Sequence, residues 1–96
     1  MSNNVLEELR KVKPLLYEKY GVKEILLFGS FARSEGKENS DVDLLVEFKE
    51  GFETFRNYMN LKEFLEHLFQ RPVDLVIKKS LKPFLKKKVE EEAIHV

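Results

Sequence analysis

The chain has 96 residues, 43% apolar and 35% charged, which suits one compact domain over residues 1–96 with its own core and excludes a disordered chain. Its 17 basic and 17 acidic side chains cancel, so no net field draws it to nucleic acid, and cysteine is absent, which removes disulfides, thiol catalysis and thiolate metal sites together. Only His67 and His95 offer imidazole, so a metal site here must be made of oxygens. The N-terminus shows neither a signal-peptide core nor a run of about 20 apolar residues, and the expectation is a soluble, cytoplasmic protein without a membrane partner.

From Val5, the apolar positions Leu9, Val12, Leu16 and Tyr20 recur at spacings of three and four, which predicts a helix that Gly21 ends. Pro14 lies inside this stripe and predicts a kink or a break into two short helices. Val22 to Phe28 contains the unbroken run Ile25-Leu26-Leu27-Phe28, which reads as a strand covered on both faces and stops at Gly29-Ser30. Phe31-Ala32-Arg33 could open a short helix, and residues 34 to 40 are polar and turn-forming.

Val42, Leu44, Val46 and Phe48 alternate as a second strand. A helix is predicted from Thr54 to Phe69, with Tyr58, Leu61, Leu65 and Leu68 on one stripe, and Arg71-Pro72 ends it. Val73, Leu75 and Ile77 alternate as a third strand, and Leu81, Leu85, Val89 and Ala93 predict a last helix that Ser80 could cap. The order gives a small α/β (α+β) domain, with helices flanking a sheet of three or four strands.

The chemistry concentrates on three aspartates. Asp41 and Asp43 are two apart, so in an extended chain both side chains leave one face, with Cα atoms roughly 6.5 Å apart. Two like charges on a partly buried face cost stability unless a cation neutralises them or one is protonated, and magnesium is the simplest such cation. Asp74 alternates away from Val73, Leu75 and Ile77, so a neighbouring strand could add a third carboxylate. Three oxygen ligands suit one or two magnesium ions that keep water and phosphate in their remaining positions. Gly29-Ser30, directly after a buried strand, reads as a phosphate cradle: glycine allows close approach, the hydroxyl donates, and helix N-terminal amides favour an anion. Arg33 could bring its guanidinium to a phosphate.

Gly29-Ser30, ten further residues and then Asp41-Val42-Asp43 resemble the signature of the DNA polymerase beta nucleotidyltransferase superfamily. The wider strings Leu27 to Arg33, Ser40 to Val46 and Arg71-Pro72-Val73-Asp74-Leu75-Val76 resemble its minimal branch, and the likeness spans nearly the whole chain. The resemblance implies a nucleotidyltransferase fold with a small mixed sheet and ATP as donor. It implies that Gly29 and Ser30 hold the triphosphate, and that Asp41, Asp43 and Asp74 bind magnesium, Asp74 also helping to deprotonate the acceptor. Minimal members are often antitoxins that silence a HEPN-domain toxin by transferring AMP to a tyrosine, so a HEPN-type partner is what the resemblance implies, with a homo- or a hetero-oligomer both open. One departure is Ser34, where members commonly carry glycine, with Gly36 two residues on.

Plainer readings stand beside these. Gly-Ser after a strand is commonly a turn and cap, Asp41 could serve a turn, and Asp43 and Asp74 could be solvated strand positions. Arg33 could pair with Glu35 or Glu38, and Lys78, Lys79, Lys82, Lys86, Lys87 and Lys88 read as the solvated face of the last helix. His67 and His95 read as surface residues, and the aromatic-rich segment from Phe52 to Phe69 as core with a surplus that could dock a partner. Two rival functions remain: a catalytically silent binding module, and nucleotidyl transfer to a small molecule or nucleic acid.

Overall fold

The computed structural model describes residues 4–33, 35–36 and 40–96. Its elements are α1 (Asn4–Tyr20), β1 (Val22–Phe28), α2 (Gly29–Ala32), β2 (Val42–Phe48), α3 (Phe55–Phe69), β3 (Val73–Ile77), a 3₁₀ turn (Lys78–Ser80), α4 (Pro83–Glu92) and β4 (Ile94–His95). The strands form one mixed sheet in the order β3-β2-β1-β4. The pairs β1/β2 and β1/β4 are antiparallel and β2/β3 is parallel, which demands a crossover connection that α3 supplies.

The spacings that predict α1 and α3 bury their stripes on one face of this sheet. Leu9 and Leu16 of α1 and Leu61 and Leu65 of α3 are fully buried, and pack with Ile25, Leu27, Val42, Leu44, Val46, Val73 and Leu75 in one core cluster. Each such leucine contributes about 1.5–3 kcal/mol by leaving water. Leu26 and Leu45 are equally buried but lie outside that cluster, facing each other across β1 and β2 on the opposite side of the sheet. The expectation of a strand covered on both faces is met at β1.

Gly21 ends α1 at φ +66°, and a Cβ there would lie 2.2 Å from the Phe52 ring, so both the turn and the packing require glycine. Thr54 caps α3, accepting from the Asn57 amide at 3.1 Å. Three expectations need correction. Helix α1 runs unbroken through Pro14, which is solvent-exposed, so water can satisfy the carbonyl that the proline leaves without a donor. Ser80 does not cap the last helix: it lies in the 3₁₀ turn, and α4 starts at Pro83, whose ring presets the first helical φ. The last helix also stops at Glu92, because Ile94–His95 pairs with Leu26 and Leu27 of β1 as a fourth strand.

That end of the chain is held firmly. The Val96 amide donates to the Ile25 carbonyl at 3.2 Å, and Lys13 Nζ donates to the Val96 carbonyl at 2.7 Å. Lys78, only 21% exposed, is tied to Glu24 at 3.0 Å, Glu90 at 3.4 Å and Glu47 at 4.0 Å, so it belongs to an ionic cluster and not to the solvated face of a helix. Lys79 pairs with Glu53 at 2.8 Å, while Lys82, Lys87 and Lys88 are exposed as expected. His95, 68% exposed, is a strand residue whose Nδ1 lies 3.3 Å from Glu24.

Candidate active site

Strand β1 delivers the chain to Gly29 at φ +74°, a left-handed conformation that costs a residue with a Cβ, and α2 begins there. Phe31 roots this single helical turn in the core at 6% exposure. The chain then passes close over the ring: a Cβ on Gly36 would sit 2.4 Å from it, and the Arg71 guanidinium stacks 5.0 Å from its centre. Gly36 therefore does spatial work, without the positive φ of a shifted turn. Ser34 and Glu38 lie outside the described residues.

Asp43 is the cross-strand neighbour of Phe28, which puts it beside Gly29. A Cβ on Gly29 would stand 2.1 Å from Asp43 Oδ2 and 2.9 Å from its Cγ. The sequence reading credits Gly29 with room for a phosphate. The geometry adds that the Asp43 carboxylate itself occupies the space a side chain would need, a contact between strands that spacing along the chain does not reveal.

On its other side Asp43 is in parallel register with Asp74, with Val42 opposite Val73 one step back. Adjacent strands lie about 4.8 Å apart, so Asp43 and Asp74 are lateral neighbours on one face, and Asp41 precedes Asp43 on the same face by the two-residue period. Asp43 is half-buried, whereas Asp41 and Asp74 are exposed. Burial pushes the Asp43 carboxyl above its ordinary pKa, the charges of Asp74 and Asp41 push it further, and Arg33 partly opposes them. As the side chains stand, no three Asp, Glu or His residues among those described form a ready metal cage. The backbone sets the three carboxylates side by side without drawing their oxygens to one point.

Arg33 makes the ion pair with Glu35 that the plainer of its two readings allows. Its Nε donates to Glu35 Oε1 at 3.0 Å and its Nη1 lies 3.6 Å from Glu92, with the side chain 48% exposed. A concavity of about 400 Å³ lies elsewhere, between the start of α3 and β3, lined by residues that include Thr54, Phe55, Tyr58 and Ile77. The raised pKa of Asp43 and its register against Asp74, rather than that concavity, single out this face as the candidate site.

The model of the nucleotidyltransferase domain family matches residues 9–96. The chain belongs to the nucleotidyltransferase domain family. A protein of Methanocaldococcus jannaschii named "Putative protein adenylyltransferase" is 47% identical over 96 residues, covering 98% of this chain and 96% of its own. The protein adenylyltransferase MntA of Thermococcus cleftensis is 43% identical and covers 100% of both chains. Among solved structures, a "putative minimal nucleotidyltransferase" superposes with a TM-score of 0.85 at 38% identity, covering 100% of this chain and 97% of that one. Two toxin–antitoxin complexes show the same fold at lower identity. One contains AMP-PNP (TM-score 0.68, 24% identity, 98% of this chain and 70% of that one). The other is a tri-AMPylated HEPN toxin from Shewanella oneidensis with its MNT antitoxin (TM-score 0.65, 23% identity, 95% and 69%). The mixed four-stranded sheet is thus that of a nucleotidyltransferase, and no helix among the described residues is long and apolar enough to cross a membrane.

Proposed function

We propose that this nucleotidyltransferase uses magnesium and ATP to transfer AMP to a tyrosine hydroxyl of a HEPN-type toxin, and so acts as its antitoxin. The observation that carries the reading is the register of Asp43 against Asp74, with Gly29 packed on the Asp43 carboxylate. Relatives that match this chain along nearly its full length carry the name protein adenylyltransferase, and the fold occurs in an antitoxin bound to an AMPylated HEPN toxin.

The donor set fits magnesium. Asp41, Asp43 and Asp74 are hard oxygen ligands, and the raised pKa of Asp43 marks a concentration of negative charge that a divalent cation would relieve. Magnesium bound there supplies neutralising charge for the triphosphate and for the oxygens of the α-phosphoryl group in transfer.

The remaining steps belong to the chain's own groups. The first amides of a helix have no acceptor within it, so those of α2, together with the Ser30 hydroxyl, can receive phosphate oxygens. Arg33 is held only in exposed, solvent-screened pairs, from which a phosphate can take it. The acceptor oxygen bonds to the α-phosphorus as the bond from that phosphorus to the bridging oxygen breaks, and pyrophosphate leaves. The hydroxyl proton passes to Asp74, which is exposed and can meet an acceptor presented by another protein.

Transfer of labelled AMP from ATP to a HEPN-type partner tests this. Asp41→Asn and Asp43→Asn should each lower the rate about 100-fold or more, the equivalent of several kcal/mol of lost charge stabilisation. Wild-type labelling by either variant would refute the catalytic assignment and favour a silent binding module.

A further inference from the structure

Strand β3 carries Asp74 but lies at the edge of the sheet, with β2 on one side and, among the described residues, no strand on the other. The Val42 amide donates to the Pro72 carbonyl at 3.0 Å, so residues 72 and 74 turn their peptide groups toward β2 while Val73 and Leu75 turn theirs outward. Both outward residues are caught by side chains of α3. Glu66 Oε2 accepts from the Val73 amide at 3.0 Å, and the Tyr58 hydroxyl donates to the Leu75 carbonyl. The two side chains are eight residues apart on α3, which places them on one face of the helix. They therefore grip the residues immediately before and after Asp74.

We propose that Tyr58 and Glu66 are positioning residues which fix Asp74 in register opposite Asp43 and so set the affinity of the site for magnesium with ATP. An edge strand otherwise frays and slips, and a slip of one residue would turn Asp74 to the other face. The grip replaces the missing fifth strand over the segment that bears the carboxylate. Neither residue touches the carboxylates. The inference rests on the proposed role of Asp74 in binding metal, so the test must separate failure of the grip from failure of that role.

The measurement is the magnesium concentration giving half-maximal ATP binding, read for wild type, Asp74→Asn, Tyr58→Phe, Glu66→Ala, Glu66→Gln and the double variant of Tyr58→Phe with Glu66→Ala. Amide hydrogen exchange at Val73 and Asp74 in metal-free protein is read alongside. Tyr58→Phe keeps the ring in place and Glu66→Gln keeps an acceptor oxygen, so each fold remains testable. The expected result is a magnesium requirement raised about 10-fold or more in the double variant. It should be accompanied by faster exchange at Val73 in Glu66→Ala and near wild-type behaviour in Glu66→Gln. If Asp74→Asn weakens binding while the double variant keeps the wild-type magnesium requirement, the grip is overturned and the role of Asp74 stands. If Asp74→Asn leaves the requirement unchanged, the role of Asp74 fails and the inference with it, whatever the exchange rates show.

Discussion

Gly29 stands where two constraints meet, a left-handed φ of +74° and the Asp43 carboxylate lying in the space of a Cβ. Gly29→Ala should therefore cost about 1–3 kcal/mol of stability through backbone strain. By displacing Asp43 it should also lower AMP transfer about 100-fold, a loss expected to exceed that of an exposed-site change such as Lys87→Ala. Asp43 itself works against the fold. Its folded pKa is raised, so between its ordinary value and the raised one the native state binds more protons than the unfolded chain, and stability falls as pH rises through that window. In metal-free protein at pH 7, Asp43→Asn should raise the thermal midpoint and flatten the fall in stability across that window. A lower midpoint would show that Asp43 is a structural residue. The two-residue period makes Asp41 and Asp43 readable in the sequence as a pair, but the contact of Asp43 with Gly29 depends on which strands become neighbours, and no spacing along the chain contains that.

Helices α1 and α3 and strands β2 and β3 are legible because each carries its own period, and β1 because its apolar run is unbroken; stops such as Gly21 or Arg71-Pro72 bound them. Strand β4 is not, since Ile94–His95 is too short to show a period and exists through its pairing with β1. Ser80 misleads for a related reason: Pro83, three residues later, is the stronger helix-start signal. The ionic cluster around Lys78 joins β1, β2 and α4, elements far apart in sequence. Its hydrogen bond from Lys78 lowers the pKa of Glu24, whose contribution is present at neutral pH and lost as the pH falls through that depressed value. Lys78→Ala leaves three carboxylates facing one another and should destabilise the protein by about 1–2 kcal/mol, since the cluster is only partly shielded from solvent. Urea unfolding at pH 7 checks the value, and an unchanged midpoint would remove the cluster from the account of how the C-terminal segment is held.

At the scale of the whole molecule, the sheet order β3-β2-β1-β4 brings three carboxylates and a glycine turn, from three different strands, to one face. The rest of the small domain buries apolar surface behind them. Magnesium with ATP should stabilise it, by about 2.7 kcal/mol at a hundred times the dissociation constant, and Asp43→Asn should erase that gain. A thermal shift with ATP and magnesium in wild type but not in the variant is the expected pattern. The sequence makes the two-part motif legible through residue types and spacing, while the acceptor is not legible, because a substrate presented by another protein leaves its mark on a surface and not on a motif. The most direct measurement is the intact mass of a HEPN-type protein after co-expression with wild-type chain or with Asp43→Asn. The account predicts AMP adducts on a tyrosine with the wild type and none with the variant. An unmodified partner in both, or adducts that persist with Asp43→Asn, would contradict it.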